Sequence, residues 1–415
     1  MPIIAPFHGL RYNLKRVGSL AKVVTPPYDV ISPKEQEAFY RLHPYNFIRV
    51  MYGKEYAKDT GADNRYSRAK KTLRQWISKG VLRQEEELSV YPHLEEYTLG
   101  GKRYRRWGVV ALVRLDSKIL HHEHTRPKPI TDRIRLLEAL EAPLSPIFGL
   151  IPDKDRAFLR FTLSACTSRR PAASVTVKGV RHAIWKMSDP KWIGRLARML
   201  RAKELVIADG HHRLTAALRY RDARRKKDPS YTSDSPYNYA MFYLAAAAGE
   251  EPGLLPTHRV LHDLPAPQVR KFVEESKRRF FVEEISNLES VSARLRKLRD
   301  RRALGVGLYT GNGGWYLLTP KRKLPYELDV EWLHREILPK WIGPDPEISY
   351  TQDAREGIRQ LKSKSENARA LFLMQPPRLE DVLDRARSAV RMPGKTTYFY
   401  PKPLAGLVEY RFGRF

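Results

Sequence analysis

The chain has 415 residues, with 76 Lys and Arg against 46 Asp and Glu and a formal net charge of +30. Hydrophobic residues make up 42% and charged residues 29%, enough apolar material to bury real cores, which excludes wholesale disorder. A single cysteine, Cys166, excludes a disulfide framework and a Cys-rich zinc module. No stretch approaches the roughly 18 apolar residues of a membrane span, and Met1–Asn13 lacks the charged-then-apolar pattern of a secretory signal. The expectation is a reduced, cytoplasmic protein of two or three domains with no membrane partner. The charge favours a polyanion as partner: nucleic acid, nucleotide or phosphorylated metabolite. It is spread along the whole chain without an isolated basic arm, which weakens the nucleic-acid version.

In chain order, residues 1–60 read as short strands and turns around Pro26-Pro27. Residues 64–79 read as a helix with Tyr66, Ala69, Leu73, Trp76 and Ile77 on one face and Gly80 as its stop. Residues 88–99 and 102–115 read as strands joined at Gly100-Gly101. A polar loop follows, then a helix from Asp132 to Leu140 and a strand from Ile147 to Ile151. Residues 190–203 are helical in spacing, Leu205–Ala208 is an apolar strand, and a helix runs from the Asp209-Gly210 break to about Lys227. Tyr239–Ala248 is another apolar segment. The pattern then restarts: helix 267–279, strand Phe280–Glu284, helix 290–300, and strands 303–309 and 314–319 around Gly311-Asn312-Gly313-Gly314. Asp329 reads as the cap of a helix bearing Val330, Leu333 and Ile337, followed by strand Leu371–Met374 and helix 378–391. The alternation implies a mixed α and β class, in two parts, 1–265 and 266–415.

Five segments carry groups suited to chemistry. In Leu205-Val-Ile-Ala-Asp209-Gly210-His211-His212-Arg213-Leu214 a strand ends on an acid, a glycine turns the chain, and a helix opens on two imidazoles and an arginine. A helix N-terminus offers N–H groups and positive dipole charge to an anion, and an arginine fork matches phosphate. Asp209 is suited to a metal ion or to a substrate amine or hydroxyl. The bland alternative is an ordinary strand-to-helix turn. In His121-His122-Glu123-His124-Thr125-Arg126-Pro127 three imidazoles surround one carboxylate. The spacing is wrong for a helical zinc motif, so a general base with imidazole neighbours fits better than a zinc site; a solvated loop is the alternative. Thr257-His258-Arg259 interrupts apolar sequence, Tyr28-Asp29 follows two rigid prolines, and Lys395 lies beside hydroxyls in a Gly/Pro turn. For these, a structural turn or strand stands beside a role in binding substrate. No phosphate-loop, Rossmann or nucleophile-elbow motif is present.

These residues in this order resemble a large bacterial and archaeal family, domain of unknown function 1015. The matching segments are Ile4–Asn13, Val24–Ile31, His43–Asn46, the His122-Glu123 loop, Ala208–Arg213, Leu255–Arg259 and Thr397–Lys402. Gln352 and Gly394 depart from the family pattern, where His and Gln are expected. Members carry chromosome-partitioning labels, and the resemblance implies α+β architecture: a ParB/sulfiredoxin-like core whose Gly-x-x-Arg turn holds nucleotide phosphates, here Gly210 to Arg213, plus a C-terminal α+β domain. A narrower similarity is to free-serine kinases, which pair a His-Glu-x-x-x-Pro loop with Asp-Gly-His-His-Arg. Both are present, as His122 to Pro127 and Asp209 to Arg213, with a longer separation that implies an insertion.

The resemblance implies a nucleotide-dependent phosphotransferase using ATP or ADP with Mg²⁺, acting on a small hydroxyl metabolite, with serine or phosphoserine first. Glu123, Asp209, His211 and His212 would be catalytic, with Asp209 on the metal. Gly210, His211, His212 and Arg213 would hold phosphate. His122, His124, Thr257, His258, Arg259, Tyr28, Asp29 and Lys395 would bind substrate or support the site. A ParB-like nucleotide-binding, DNA-associated protein and a phosphohydrolase are the alternatives, and the oligomeric state is left open.

Overall fold

Strands buried on both sides lose the polar/apolar alternation of half-exposed ones, and Val109–Val113 is such a run. It belongs to Lys102–Arg114, the long central strand of a nine-stranded sheet. The computed structural model describes all residues except 168, 248–252, 263–265, 312, 323, 325–326, 340–346, 364–367 and 414–415. Ala248, Asn312 and Pro265, the last residue before the expected boundary, therefore lie outside the described residues. The chain forms two compact units. The first holds residues 1–121, 125–252 and 401–415, and the second 122–124 and 253–400. The expected division lay at 265/266. Strand His258–His262, just before it, pairs within the second unit's sheet.

In the first unit the strands lie in the order Ile119–Leu120, Leu205–Asp209, Ile147–Pro152, Tyr239–Ala247, Lys102–Arg114, Tyr91–Leu99, Val180–Ile184, Ala173–Val177, with Ile4–Ala5 added antiparallel to Lys102–Arg114. The parallel pairings are Leu205–Asp209 with Ile119–Leu120 and Tyr239–Ala247 with Ile147–Pro152. One face carries Val109, Ala111, Val113, Ala240, Phe242, Leu244, Leu205 and Ile207. It packs with Phe158, Leu196, Leu200, Leu214 and Ala217 from three helices into the main core. Those helices are Ala157–Ser164, Pro190–Arg201 and His211–Arg225.

The expected helix at 64–79 is Arg65–Ser78, capped by Asn64, with Ala69, Leu73 and Trp76 buried. The expected hairpin turns at Gly100 and Gly101, both in the left-handed region. The helix expected from Asp132 starts a turn earlier, at Pro127, because a proline at the first position needs no N–H partner. Between the two motifs lie helix Ala157–Ser164 and the edge hairpin Ala173–Val177/Val180–Ile184, which periodicity alone did not reveal.

The second unit is built on a six-stranded, wholly antiparallel sheet ordered Phe280–Ile285, Trp315–Pro320, Val306–Tyr309, Ala368–Leu373, His258–His262, Ile348–Thr351. Val260, Leu371, Leu373, Tyr309 and Leu317 form its core with Val291 and Leu295 of helix Leu288–Asp300 and Leu361 of helix Ala354–Lys362. Tyr398–Phe399 pairs with Leu254–Leu255. The class is mixed α and β, and no helix among the described residues is long and apolar enough to cross a membrane.

Asp329 departs from its expected role. It sits inside the first turn of its helix, Leu328 is the N-cap, and the Asp329 carboxylate accepts from the Gly305 N–H at 2.9 Å. Burial pushes its carboxyl from 3.8 up to about 7, with Gly305 opposing and Glu327 adding to the rise. Between those values the folded state holds a proton that the unfolded state has released, so the stabilisation present below about pH 4 is lost as pH rises towards 7. Asp329→Asn keeps the acceptor and removes the titration. Denaturant unfolding from pH 4 to 7 should show the wild type losing, relative to this variant, on the order of 4 kcal/mol; parallel curves would contradict the assignment.

Candidate functional site

Strand Leu205–Asp209 does not keep its period to the end. Ile207 pairs with Gly149 and Asp209 with Phe148, so Ala208 is an extra residue in a bulge. A bulge re-aims the following side chain. Asp209 therefore leaves the face of Leu205 and Ile207 and joins the face of Phe148. Gly210 follows at φ 95°, the helix N-cap in left-handed geometry. A Cβ there would also lie 3.1–3.2 Å from the Arg213 guanidinium, which folds back beneath the turn.

The charges around Asp209 are paired one oxygen at a time. Arg213 Nη2 donates to Oδ2 at 2.6 Å, and Lys402 Nζ donates to Oδ1. All three residues are at most 9% exposed. Arg213 Nη1 also donates to Ser145 Oγ at 2.8 Å and to the Pro146 carbonyl. The Ser145 N–H in turn donates to Glu409 Oε2 at 2.8 Å, while Glu409 Oε1 accepts from Gly406 N–H at 2.6 Å. Burial pushes the Glu409 carboxyl up to about 7, against the pull of those two N–H groups and Arg213. Residues 401–410 thus close on the strand-turn-helix through Lys402 and Glu409.

The first turn of His211–Arg225 leaves its leading N–H groups without intrahelical partners, as every helix does. His211 is buried, and His212 Nε2 accepts from the Arg126 N–H at 3.0 Å, which puts the proton of the neutral ring on Nδ1. Tyr28 lies on a short 3-10 turn under the Arg133 guanidinium, 4.0 Å from its ring centre. Burial raises its hydroxyl pKa while Arg133 and, more weakly, Arg213 pull it down, so Tyr28 stands within electrostatic reach of the turn. Asp29 is exposed. A small, partly open pocket with apolar walls, including Leu137, Ile147, Ala216 and Met241, lies beside Arg133, Ser145 and Arg213.

The remaining expected residues belong to the second unit. His122–His124 lies along the segment 392–397: Met392 N–H donates to the His122 carbonyl at 2.8 Å, and His124 N–H to the Met392 carbonyl at 3.4 Å. Glu123 Oε1 accepts from the N–H groups of Lys395 and Thr396, the latter at 3.3 Å. Consecutive N–H groups around a residue at positive φ, here Lys395 at 61°, form an anion-binding concavity, and Glu123 fills this one. His122 Nε2 meets Thr397 Oγ1 at 3.2 Å. Arg259 donates to the Thr257 carbonyl and, at 3.1 Å, to the Lys395 carbonyl. Burial lowers its guanidinium pKa to about 10, with Tyr350 and Glu123 raising it. His258 Nδ1 accepts from Met374 N–H at 3.1 Å, and burial, then Arg259, lowers its pKa to about 4.

The structure thus groups Asp209 to Arg213 with Tyr28 in one unit, and His122, Glu123, Thr257, His258, Arg259 and Lys395 in the other. Both Asp209 oxygens are engaged by cationic side chains, so a magnesium ion on this carboxylate would share an oxygen with Lys402 or Arg213. Sequence reasoning missed Lys402, Ser145 and Glu409 as parts of the turn. The available signal was a lone lysine and a lone glutamate bracketing Pro403-Leu-Ala-Gly-Leu-Val408, an apolar stretch in which a charge has to find a buried partner.

The geometry at Gly210 makes a direct test. Gly210→Ala places a Cβ in the left-handed region and against the Arg213 guanidinium, and should lower unfolding stability by about 1–3 kcal/mol. Gly194→Ala, in the middle of a helix where the nearest atom is the Arg198 side chain at 3.7 Å, should be neutral or stabilising.

Among solved structures, the chain is similar to a conserved hypothetical protein from Pyrococcus furiosus, at 14% identity over 73% of this chain and 95% of that one, with TM-score 0.37. It is also similar to free serine kinase in complex with AMP, at 12% identity over 70% and 86%, with TM-score 0.35. A third is SbnI with C-terminal truncation from Staphylococcus aureus, at 11% over 71% and 85%, with TM-score 0.33. No curated protein gives a significant match. The profile of one family, described as a protein of unknown function, DUF1015, matches residues 4–339. The chain is a member of the DUF1015 family.

Proposed function

We propose that the protein is a nucleotide-dependent phosphotransferase acting on the hydroxyl of a small metabolite, with free serine as the first acceptor to try. The observation that carries this reading is the Asp209–Arg213 turn. Two buried cations, Arg213 and Lys402, bracket a single buried carboxylate at the positive end of a fifteen-residue helix. The cations exceed the anion, and the helix start adds N–H donors, so the turn suits the phosphates of ATP or ADP. This is the part of the first unit that a ParB/sulfiredoxin-like reading assigns to nucleotide.

Transfer to a hydroxyl also needs a group to orient it and take its proton, and cations against the charge developing on the phosphoryl oxygens. The reading gives the first role to Glu123, whose carboxylate is oriented through Oε1 by the Lys395 and Thr396 N–H groups. His211, His212 and Arg213 take the second. Magnesium would enter with the nucleotide phosphates, and no step is assigned to a metal held by Asp209. Free serine kinase, bound to AMP in one structure and to ADP in another, supplies the choice of nucleotide and acceptor to test first.

Labelled ATP and ADP offered with a panel of free amino acids and small alcohols should yield a phosphorylated hydroxyl product. Glu123→Gln should lower turnover by about 100-fold or more while leaving nucleotide affinity within about threefold. Lys402→Met, checked for folding by circular dichroism, should weaken nucleotide binding by about tenfold. Label released only to water would establish the hydrolase reading instead. Steeply salt-dependent DNA binding without transfer would establish the DNA-associated one.

A further inference from the structure

The face of the first unit's sheet opposite Val109 and Ala111 carries a second cluster, which the phosphotransferase reading does not use. His93 and Glu95 are two apart on strand Tyr91–Leu99 and so share a face. Glu95 faces Arg106 on one neighbouring strand and His182 on the other. His93, Glu95 and His182 are 2%, 0% and 1% exposed. Opposite His93 stands Gly108, where a Cβ would strike the Tyr243 ring at 2.6 Å, so the missing side chain leaves room for the imidazole and the tyrosine side by side.

His182 Nδ1 lies 3.3 Å from His93 Nε2 and 3.6 Å from Glu95 Oε1. Arg106 takes the other carboxylate oxygen: its Nε donates to Oε2 at 2.7 Å and its Nη2 at 2.5 Å. A single proton on His182 Nδ1 cannot serve both the His93 lone pair and Glu95 Oε1, whereas a cation can serve all three atoms. The Tyr243 hydroxyl lies beside Glu95 and Arg106, close enough to interact with both. The spacing fits an ion as well. Bonds of about 2.0–2.1 Å in tetrahedral geometry separate ligand atoms by roughly 3.3–3.5 Å.

We propose that His93 Nε2, His182 Nδ1 and Glu95 Oε1 form a buried site for a divalent transition-metal ion of the zinc class. Two imidazoles and one carboxylate are a donor set such ions favour, with the fourth position left to water or to Tyr243. Arg106 fixes the ligating carboxylate by its outer oxygen, the kind of support that ligand carboxylates ordinarily have. With all three ligands shut away from solvent, the ion enters as the strands pair, and its role is to hold them.

The test uses the full chain, unfolded and refolded with Zn²⁺ and then desalted, with metal measured by mass spectrometry. About one Zn²⁺ per chain is expected. His182→Ala and Glu95→Gln should each fall below a tenth of that content, while His43→Ala keeps it. Refolding with Co²⁺ should give the intense visible bands of a tetrahedral site. A wild-type chain that refolds without retaining Zn²⁺ overturns the proposal, as does a folded His182→Ala variant that retains it. Should the variants fail to fold, the Co²⁺ spectrum still decides, because the weak bands of an octahedral ion also overturn it.

Discussion

The first unit turns on one carboxylate. Asp209 ends a strand whose neighbours are apolar, and a charge taken out of water there costs several kcal/mol unless it is paired and hydrogen-bonded. Its two oxygens are satisfied by residues from different places in the chain, Arg213 on the next helix and Lys402 far along the sequence. Arg213 reaches further, to Ser145 and the Pro146 carbonyl ahead of strand Ile147–Pro152. Strand end, helix start, loop and tail are fixed relative to one another because a single anion has to be neutralised. Take away either cation and the other segments lose their reason to meet, at a cost of about 3–5 kcal/mol for the uncompensated charge.

The same demand is met at other charged residues of the first unit. On the face of the sheet opposite Val109, Arg106 is matched by Glu95 and also donates to the Pro401 carbonyl, one residue before Lys402. Glu96, one residue from Glu95 and so on the opposite side of the strand, is surrounded by Arg103, Arg105 and Arg181. In the second unit the Glu123 carboxylate is oriented by backbone N–H groups on Oε1 and stands within electrostatic reach of Arg259, whereas Asp209 is bracketed by two cationic side chains.

The elements legible in the sequence were those set by local chemistry. Arg65–Ser78 shows a 3.6-residue stripe and a terminal glycine, and Tyr91–Leu99/Lys102–Arg114 shows a Gly-Gly turn and the apolar run Val109–Val113. The strand-turn-helix at Asp209 was legible for the same reason, since acid, glycine and helix start are contiguous. What pairs with Asp209 was not. The Ile207–Asp209 bulge changes which face the acid joins, and a bulge leaves no mark in the periodicity. Lys402 is set by tertiary contact alone. The division of the chain was hard to read for a related reason: His122–His124 and the segment after Pro401 join their units by pairings distant in sequence.

That last feature has a consequence in time. Synthesis delivers the strands, the helices and the Asp209 turn of the first unit well before it delivers Lys402, and the whole run 253–400 is made in between. Through that interval Asp209 and Arg213 have each other, but Lys402 and Glu409 have not yet been made. Domains usually fold as they emerge, N-terminal part first. Here the first unit is started first and completed only after the second, because Lys402 and Glu409 are made after residues 253–400.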